Sequence, residues 1–381
     1  MSLGLIYFVG DTLRERCRAE LARGTGPRLL NWLEASADAP SRLSAATAGP
    51  GLLLDATGGP SGPVLAQMPP DQMPRGLAEL LAAGRTRAVA AVEPAALLAA
   101  LAQDSTAGSS AQACCGHHHD HDHHHHHHSG EACNHHHGNE HHDHAHDHEQ
   151  SHAMARAALF ASIEYADRLV VDARGLGADE LLRLRRILRS LNGGAEVALH
   201  NDPAELAGDL AALPKERYGV PAWQMLQAGH RPPEFATLGL EAFIHRTRAP
   251  FGGARLAELM RRDFVGVYRA VGQFWLATRP DLVCAWSRCG TLSVAHPIGL
   301  WWASVPRERW PVAAVAAIEG RWQEPFGDRQ QEFVFIGQGF DAGAIRDALD
   351  ACALSEAELA LGPQGWAQLP DPFPAWAPAQ H

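Results

Sequence analysis

The chain has 381 residues, 46% of them apolar and 20% charged, and a formal charge of −11 at pH 7 with histidine neutral. That length allows two domains with cores of their own, and the acidic balance excludes a nucleic-acid partner, whose phosphates need a basic face. No window approaches the roughly 18–20 apolar residues that span a bilayer, so no membrane partner is expected. Leu3–Val9 is too short for a signal segment and has no basic start or small-residue cleavage site. The seven cysteines are scattered without the spacing of a disulfide framework, so the expected location is a reducing cytoplasm.

Short apolar runs at Leu5–Val9, Leu52–Leu54 and Ala88–Val92 predict buried strands, with helices expected at Arg28–Glu34 and Gly76–Ala83. Alternation of this kind predicts a mostly parallel α/β sheet. The pattern breaks at about residue 112 and resumes at Ala157–Tyr165, which reads as helix, and Arg168–Val171, which reads as strand. Leu181, Leu184, Leu188 and Leu191 form one stripe of an amphipathic helix over Asp179–Leu191. Glu196–His200 predicts a further strand. The expected first domain therefore runs over 1–230, with 112–153 inserted into it rather than linking two domains.

A second domain is expected at 234–355, followed by a tail at 356–381. Strand signals lie at 240–251, Gly266–Ala277, Thr291–Ala295 and Glu332–Ile336, and helix signals at Ala254–Arg262 and Ala344–Ala353. Strands outnumber helices, so this half reads as α+β. It holds eight of the ten tryptophans, which suit a core or a partner surface.

The insertion carries the chemistry. Its candidate ligands are Cys114, Cys115, His117, His118, His119, His121, His123, His124, His125, His126, His127, His128 and Cys133. They continue with His135, His136, His137, His141, His142, His144, His146, His148 and His152. Imidazole has an ordinary pKa near 6.5, so at neutral pH most of these rings offer a free lone pair. Zn²⁺, Ni²⁺ and Co²⁺ accept imidazole, and Zn²⁺ also favours thiolate. So polar a stretch is expected to be disordered without metal and to offer many near-equivalent ligand sets. Cys284 and Cys289 sit five apart, outside the usual zinc spacing, and read as core residues. His245 and Arg246 read as a satisfied surface pair.

The second half resembles the C-terminal domain of the CobW family, GTP-dependent metal chaperones and insertases. The resemblance rests on "FIHRTRAPF" (243–251), "RAVGQFWLATRPD" (269–281) and "GDRQQEFVFIGQGFD" (327–341). "LDACALSEAEL" (349–359) and "GPQGWAQLPDPFPAW" (362–376) follow in the same order. The first half resembles a degenerate form of the family's P-loop G domain. "GLLLDATGGPSGP" (51–63) is similar to the family's strand ending in Glu-Ser-Thr-Gly, which makes Asp55, Thr57 and Gly58 the nucleotide-site candidates. The guanine-reading Asn-Lys-x-Asp falls on Val171-Asp172-Ala173-Arg174. A P-loop needs a lysine on the β/γ oxygens, and the chain's single lysine, Lys215, lies in no glycine-rich context. "GTGPRLLNWL" (24–33) echoes the phosphate loop, with Pro27 and Arg28 at its Lys-Thr, whereas "GDTLRERC" (10–17) echoes the segment after the family's Cys-x-Cys-Cys motif, without those cysteines.

What the resemblance and the insertion imply together is a protein that binds and traffics divalent metal (zinc, nickel or cobalt), has lost nucleotide hydrolysis, and contacts a recipient metalloprotein through its C-terminal domain. An active GTPase metallochaperone using GTP and Mg²⁺ through divergent motifs is the second reading. A cytosolic metal buffer without a recipient is the third.

Overall fold

A computed structural model of the chain describes residues 3–9, 12–13, 29–31, 64–67, 86–102, 156, 159–211 and 219–376. The first unit is a six-stranded sheet in the order β2-β3-β1-β4-β5-β6. Its strands are β1 (Leu3–Val9), β2 (Leu29–Asn31), β3 (Val64–Gln67), β4 (Thr86–Val92), β5 (Arg168–Asp172) and β6 (Glu196–His200). Every pairing is parallel. The mostly parallel α/β sheet expected for the first half is therefore present. Ala88–Val92 and Leu169–Val171 are fully buried, as strands covered on both faces must be.

The segment Arg28–Glu34 departs from expectation. Leu29–Asn31 is a strand, paired in parallel with β3 from Leu29↔Leu65 to Asn31↔Gln67. The pairing supplies backbone partners across the sheet that outweigh a seven-residue helical signal, so tertiary context decides. The expected strand at Leu52–Leu54 and helix at Gly76–Ala83 lie outside the described residues.

Helices α1 (Pro94–Ala102), α2 (residues 159–164) and α3 (Ala178–Leu191) cover the sheet. In α3 the predicted stripe is buried at Leu184, Leu188 and Leu191 and extended by Ile187. Glu180 accepts a hydrogen bond from the Gly177 amide at 2.9 Å and closes the first turn. Asn192 ends α3 and ties it to α2, donating to the carbonyls of Ile163 and Ala166 at 2.8 Å each. Helices α4 (Pro203–Ala211), α5 (Ala222–Gln227) and α6 (Phe235–Leu238) lead into the second unit.

That unit is a five-stranded antiparallel sheet in the order β10-β9-β8-β11-β7. Its strands are β7 (Glu241–Thr247), β8 (Val267–Leu276), β9 (Arg279–Cys289), β10 (Leu292–Leu300) and β11 (Gln331–Gly337). Strand β9 carried no clear signal in the sequence. It buries side chains on both faces, Cys284 and Trp286 on one and Val283 and Cys289 on the other, so period-two alternation is absent. Helices α7 (Gly253–Arg261) and α9 (Ala342–Asp350) pack on one face, with α8 (Val315–Glu319) between them in sequence. There Leu256, Leu259 and Leu349 meet Phe274, Trp286, Phe333 and Phe335. Phe333 lies directly over Gly272, where an added Cβ would fall 2.1 Å from the ring.

Residues beyond α9 pack back on this unit through α10 (Glu356–Leu359) and α11 (Gly362–Trp366). Arg279 then holds the last stretch, donating to Asp371 at 2.7 Å and to the Phe373 carbonyl at 2.7 Å.

The opposite face of the antiparallel sheet meets the first unit. Val334 and Ile336 join Ala222, Phe235 and Leu238 in one cluster. Cys289 and Leu292 join the core built by β4, β5 and α3. At the centre of this contact Arg269 of β8 donates to Glu164 of α2 at 2.7 Å, with both side chains about 5% exposed. Arg269 also donates to Ser287 Oγ and to the carbonyls of Ala270 and Arg288. Burial opposes the Arg269 charge, but the Glu164 carboxylate more than offsets it and raises its pKa. Removing one member of such a pair strands the other charge, at a cost of about 3–5 kcal/mol. Arg269→Met should therefore lower stability by about that amount, and Glu164→Leu combined with Arg269→Met should recover part of it. Urea unfolding followed by tryptophan fluorescence reads both; equal loss in the single and double variants would deny the pair its role.

Candidate functional site

Ligands in parallel α/β sheets sit beyond the carboxyl ends of the strands, at the point where strand order reverses. Here that point lies between β1 and β4. Beyond them the Glu93 carboxylate accepts a hydrogen bond from the Leu13 amide at 3.2 Å. A backbone donor in the turn after the central strand, where a P-loop protein presents amides to phosphate, is thus taken by the chain's own carboxylate. The segment directly after this strand is 10–17, which resembles the stretch after the family's Cys-x-Cys-Cys motif and not its phosphate loop. In 24–33 the residues Leu29–Asn31 form β2 and not the start of a helix.

At the end of β5, Asp172 and Arg174 close on each other. Arg174 donates through Nε to Oδ1 at 2.7 Å and through its terminal nitrogen to Oδ2 at 2.6 Å. Asp172 is buried and Arg174 exposed. The position that resembles the base-reading aspartate therefore holds a guanidinium, and the nearest carboxylate is neutralised by it. Asp55, Thr57 and Gly58, and every metal-ligand candidate from Cys114 to His152, lie outside the described residues.

The two residues that bracket the His-rich insertion are described, and they share one anchor. Helix α1 ends at Ala102, and the chain is described again at Arg156. Arg156 donates to the Ala100 carbonyl at 2.5 and 3.1 Å and to Thr291 Oγ1 at 3.2 Å. Thr291 in turn donates its amide to the Leu101 carbonyl at 3.1 Å. Thr291 and Gly290 form the turn between β9 and β10. Gly290 has a φ of +57°, and a Cβ there would lie 2.4 Å from the Leu101 carbonyl oxygen, so only glycine fits. Both stems of the insertion are thus pinned to the tip of one hairpin of the second unit. The sequence offered a cue, "CGTL", but without β9 it did not read as a hairpin.

Among the described residues no group of three or more His, Cys, Asp or Glu could hold a metal. Cys284 packs with Phe274 and Trp286 on the helix-covered face of β9, whereas Cys289 packs on the opposite face with Leu292. Neighbours five apart on a strand cannot share an ion. Burial pushes both thiols up to about 12, and that of Cys352 to about 11. His245 and Arg246 are not a pair: they point to opposite faces of β7. Buried His245 contacts Asp350 at 2.7 Å, and Arg246 contacts Glu332 at 2.6 Å. No helix among the described residues is long and apolar enough to cross a membrane.

The class these features define is a parallel α/β unit clamped by a buried ion pair to an antiparallel α+β unit. Residues 240–353 match the family described as the cobalamin synthesis protein CobW C-terminal domain. The chain carries that domain, as the sequence resemblance implied. It is 34% identical over 158 residues to zinc-regulated GTPase metalloprotein activator 1 of Dictyostelium discoideum, covering 40% of this chain and 33% of that protein. It is 32% identical over 237 residues to the zinc chaperone Rv0106 of Mycobacterium tuberculosis, covering 53% of this chain and 58% of that protein. The chain thus spans between a third and six-tenths of the length of these relatives. The Zn(II)-bound YjiA GTPase of E. coli aligns over 93% of this chain and 99% of its own, at 10% identity and a TM-score of 0.28, which carries no argument.

Buried thiols with so high a pKa do not react as thiolates near neutrality. With residues 114–152 deleted, Cys17 remains beside Cys284, Cys289 and Cys352. Native-state titration with a thiol reagent at pH 8 is expected to find at most one reactive group, and all four after denaturation. Rapid reaction of more than one in the native state would contradict the burial.

Proposed function

We propose that this protein binds divalent zinc on the insertion at 112–153 and delivers it to a recipient metalloprotein, without hydrolysing nucleotide. The observation that carries the reading is the concentration of 19 histidines and three cysteines between residues 114 and 152. Its stems at Ala100–Leu101 and Arg156 are fixed to a hairpin of the second unit, so cargo would be collected beside the unit whose residues 240–353 match the CobW C-terminal domain. The names of those relatives support zinc as the cargo; nickel and cobalt remain chemically acceptable to the same imidazoles. Because protons compete for those nitrogens, loading needs a pH above the ordinary imidazole range.

Deleting residues 114–152 should remove most bound zinc while leaving the circular dichroism of the folded chain unchanged. Equilibrium dialysis with Zn²⁺ reads the stoichiometry of both forms. Full retention of metal by the deleted chain would refute the insertion as the store.

A GTPase reading is favoured by the name of one relative, and the features at the strand ends weigh against it. Lys215 is the only lysine and stands in no glycine-rich stretch of the sequence. Glu93 holds the Leu13 amide, and Arg174 stands where the guanine-reading aspartate would be, closed onto Asp172. Arginine's planar fork does not replace an ammonium in a tight phosphate loop. Calorimetry at micromolar protein should detect no GTP binding in Mg²⁺ buffer, with or without Zn²⁺. Micromolar affinity, or metal-stimulated phosphate release lost in Asp55→Ala, would restore the GTPase reading.

A further inference from the structure

The first unit covers only half of the antiparallel sheet's inner face. Toward the Gly290 turn, Cys289 and Leu292 are buried beneath it. Toward the other end of β9, the sheet is open and carries two adjoining hollows of about 240 and 300 Å³. Gln273, Gln330 and Arg321 belong to both; Trp301 and Trp302 wall the first, and Gln227 of α5 flanks the second.

The polar groups here are unspent. Gln227, Gln273 and Gln330 are each half-buried, and their carboxamides make no hydrogen bond with any described residue. Their neighbour Gln331 shows what the fold does with a glutamine it uses itself. Its amide donates to the carbonyls of Ala249 and Trp275 at 3.0 and 2.9 Å and accepts from the Trp275 amide at 3.0 Å. The charges differ in the same way. Asp328 accepts from the amides of Trp302 and Ala303, and Glu332 is paired with Arg246 at 2.6 Å. Arg321 makes no ion pair with any described residue, and of the charged side chains lining the two hollows it alone has a charged group without a described partner.

A carboxamide donates and accepts at once, which matches the alternating N–H and C=O of an extended polypeptide. An unpaired guanidinium calls for a carboxylate, which it can take with two parallel hydrogen bonds. Half-exposed indole offers apolar contact at small entropic cost. We propose that this groove binds an extended segment of another protein, with an Asp or Glu side chain seated on Arg321. The proposal rests on the metal-delivery reading and names the contact by which a recipient is held. From Val283 to Gly290 the strand rise places the groove about 23 Å from the root of the insertion, on the same sheet.

A displayed library of random twelve-residue peptides, selected on the whole chain and on its Arg321→Glu and Gln273→Leu variants, tests this. Selected sequences should be enriched in Asp or Glu at one position. A synthetic peptide from the selection should lose about tenfold or more in affinity in either variant and recover in part with Arg321→Lys. Circular dichroism and zinc stoichiometry, measured on the same samples, should be unchanged. Absence of enrichment, or acidic sequences bound equally well by Arg321→Glu, overturns the proposal. Binding that emerges only after residues 112–153 are deleted also overturns it, since the chain's own acidic insertion would then be the occupant. Loss of zinc binding with the peptide result intact would instead sink the delivery reading and leave the groove standing.

Discussion

The rest of the structure depends on one buried ion pair. Arg269 and Glu164 meet where β8 lies against α2, almost wholly out of water. Two charges in such a place are costly unless nearly every donor and acceptor finds a partner. Arg269 meets that condition by donating to Ser287 and to two carbonyls besides the carboxylate. An ion pair of this kind contributes less to net stability than to uniqueness: a one-residue slip of β8 would turn Arg269 into the aromatic face where Phe274 and Phe333 pack. The pair therefore fixes how the parallel unit sits on the antiparallel one. Once that is set, the Gly290 turn must fall against Leu101.

That contact explains where a long polar insertion can be accommodated. In sequence the insertion falls between α1 and α2, the helix that carries Glu164. Arg156 bridges the departing helix and the β9–β10 turn. The two stems thus share a support outside their own unit, and the buried pair lies one helix away.

Much of this was legible in residues and some was not, for identifiable reasons. Strand β4 announced itself as a short continuous apolar run, Ala88–Val92, and helix α3 through the Leu184, Leu188, Leu191 stripe, which repeats with the helical period. Strand β9 was silent because it carries buried side chains on both faces, and β2 was misread because its backbone partners lie more than thirty residues away, in β3. The histidines and cysteines of the insertion could be named one by one, since composition alone carries that signal. The groove could not. Gln273, Gln330 and Arg321 are unremarked residue types on separate strands and loops, and only the register that sets Gln273 opposite Glu332 and Ala285 brings them together.

The same strand accounts for both ends of the proposed function. Strand β9 alternates strictly, so Val283 and Cys289 face the same side although one lines an open groove and the other is sealed under the first unit. What separates them is coverage, which the Arg269–Glu164 pair decides. Had the first unit docked further along the sheet, it would have buried three unpartnered carboxamides, each costing a few kcal/mol without a hydrogen bond. Had it docked further back, the Gly290 turn would have lost Leu101, and the insertion its anchor. The observed position satisfies both constraints. It seals the half of the sheet whose side chains are apolar or already paired, and leaves open the half where the side chains of Gln273, Gln330 and Arg321 make no hydrogen bond or ion pair with any described residue.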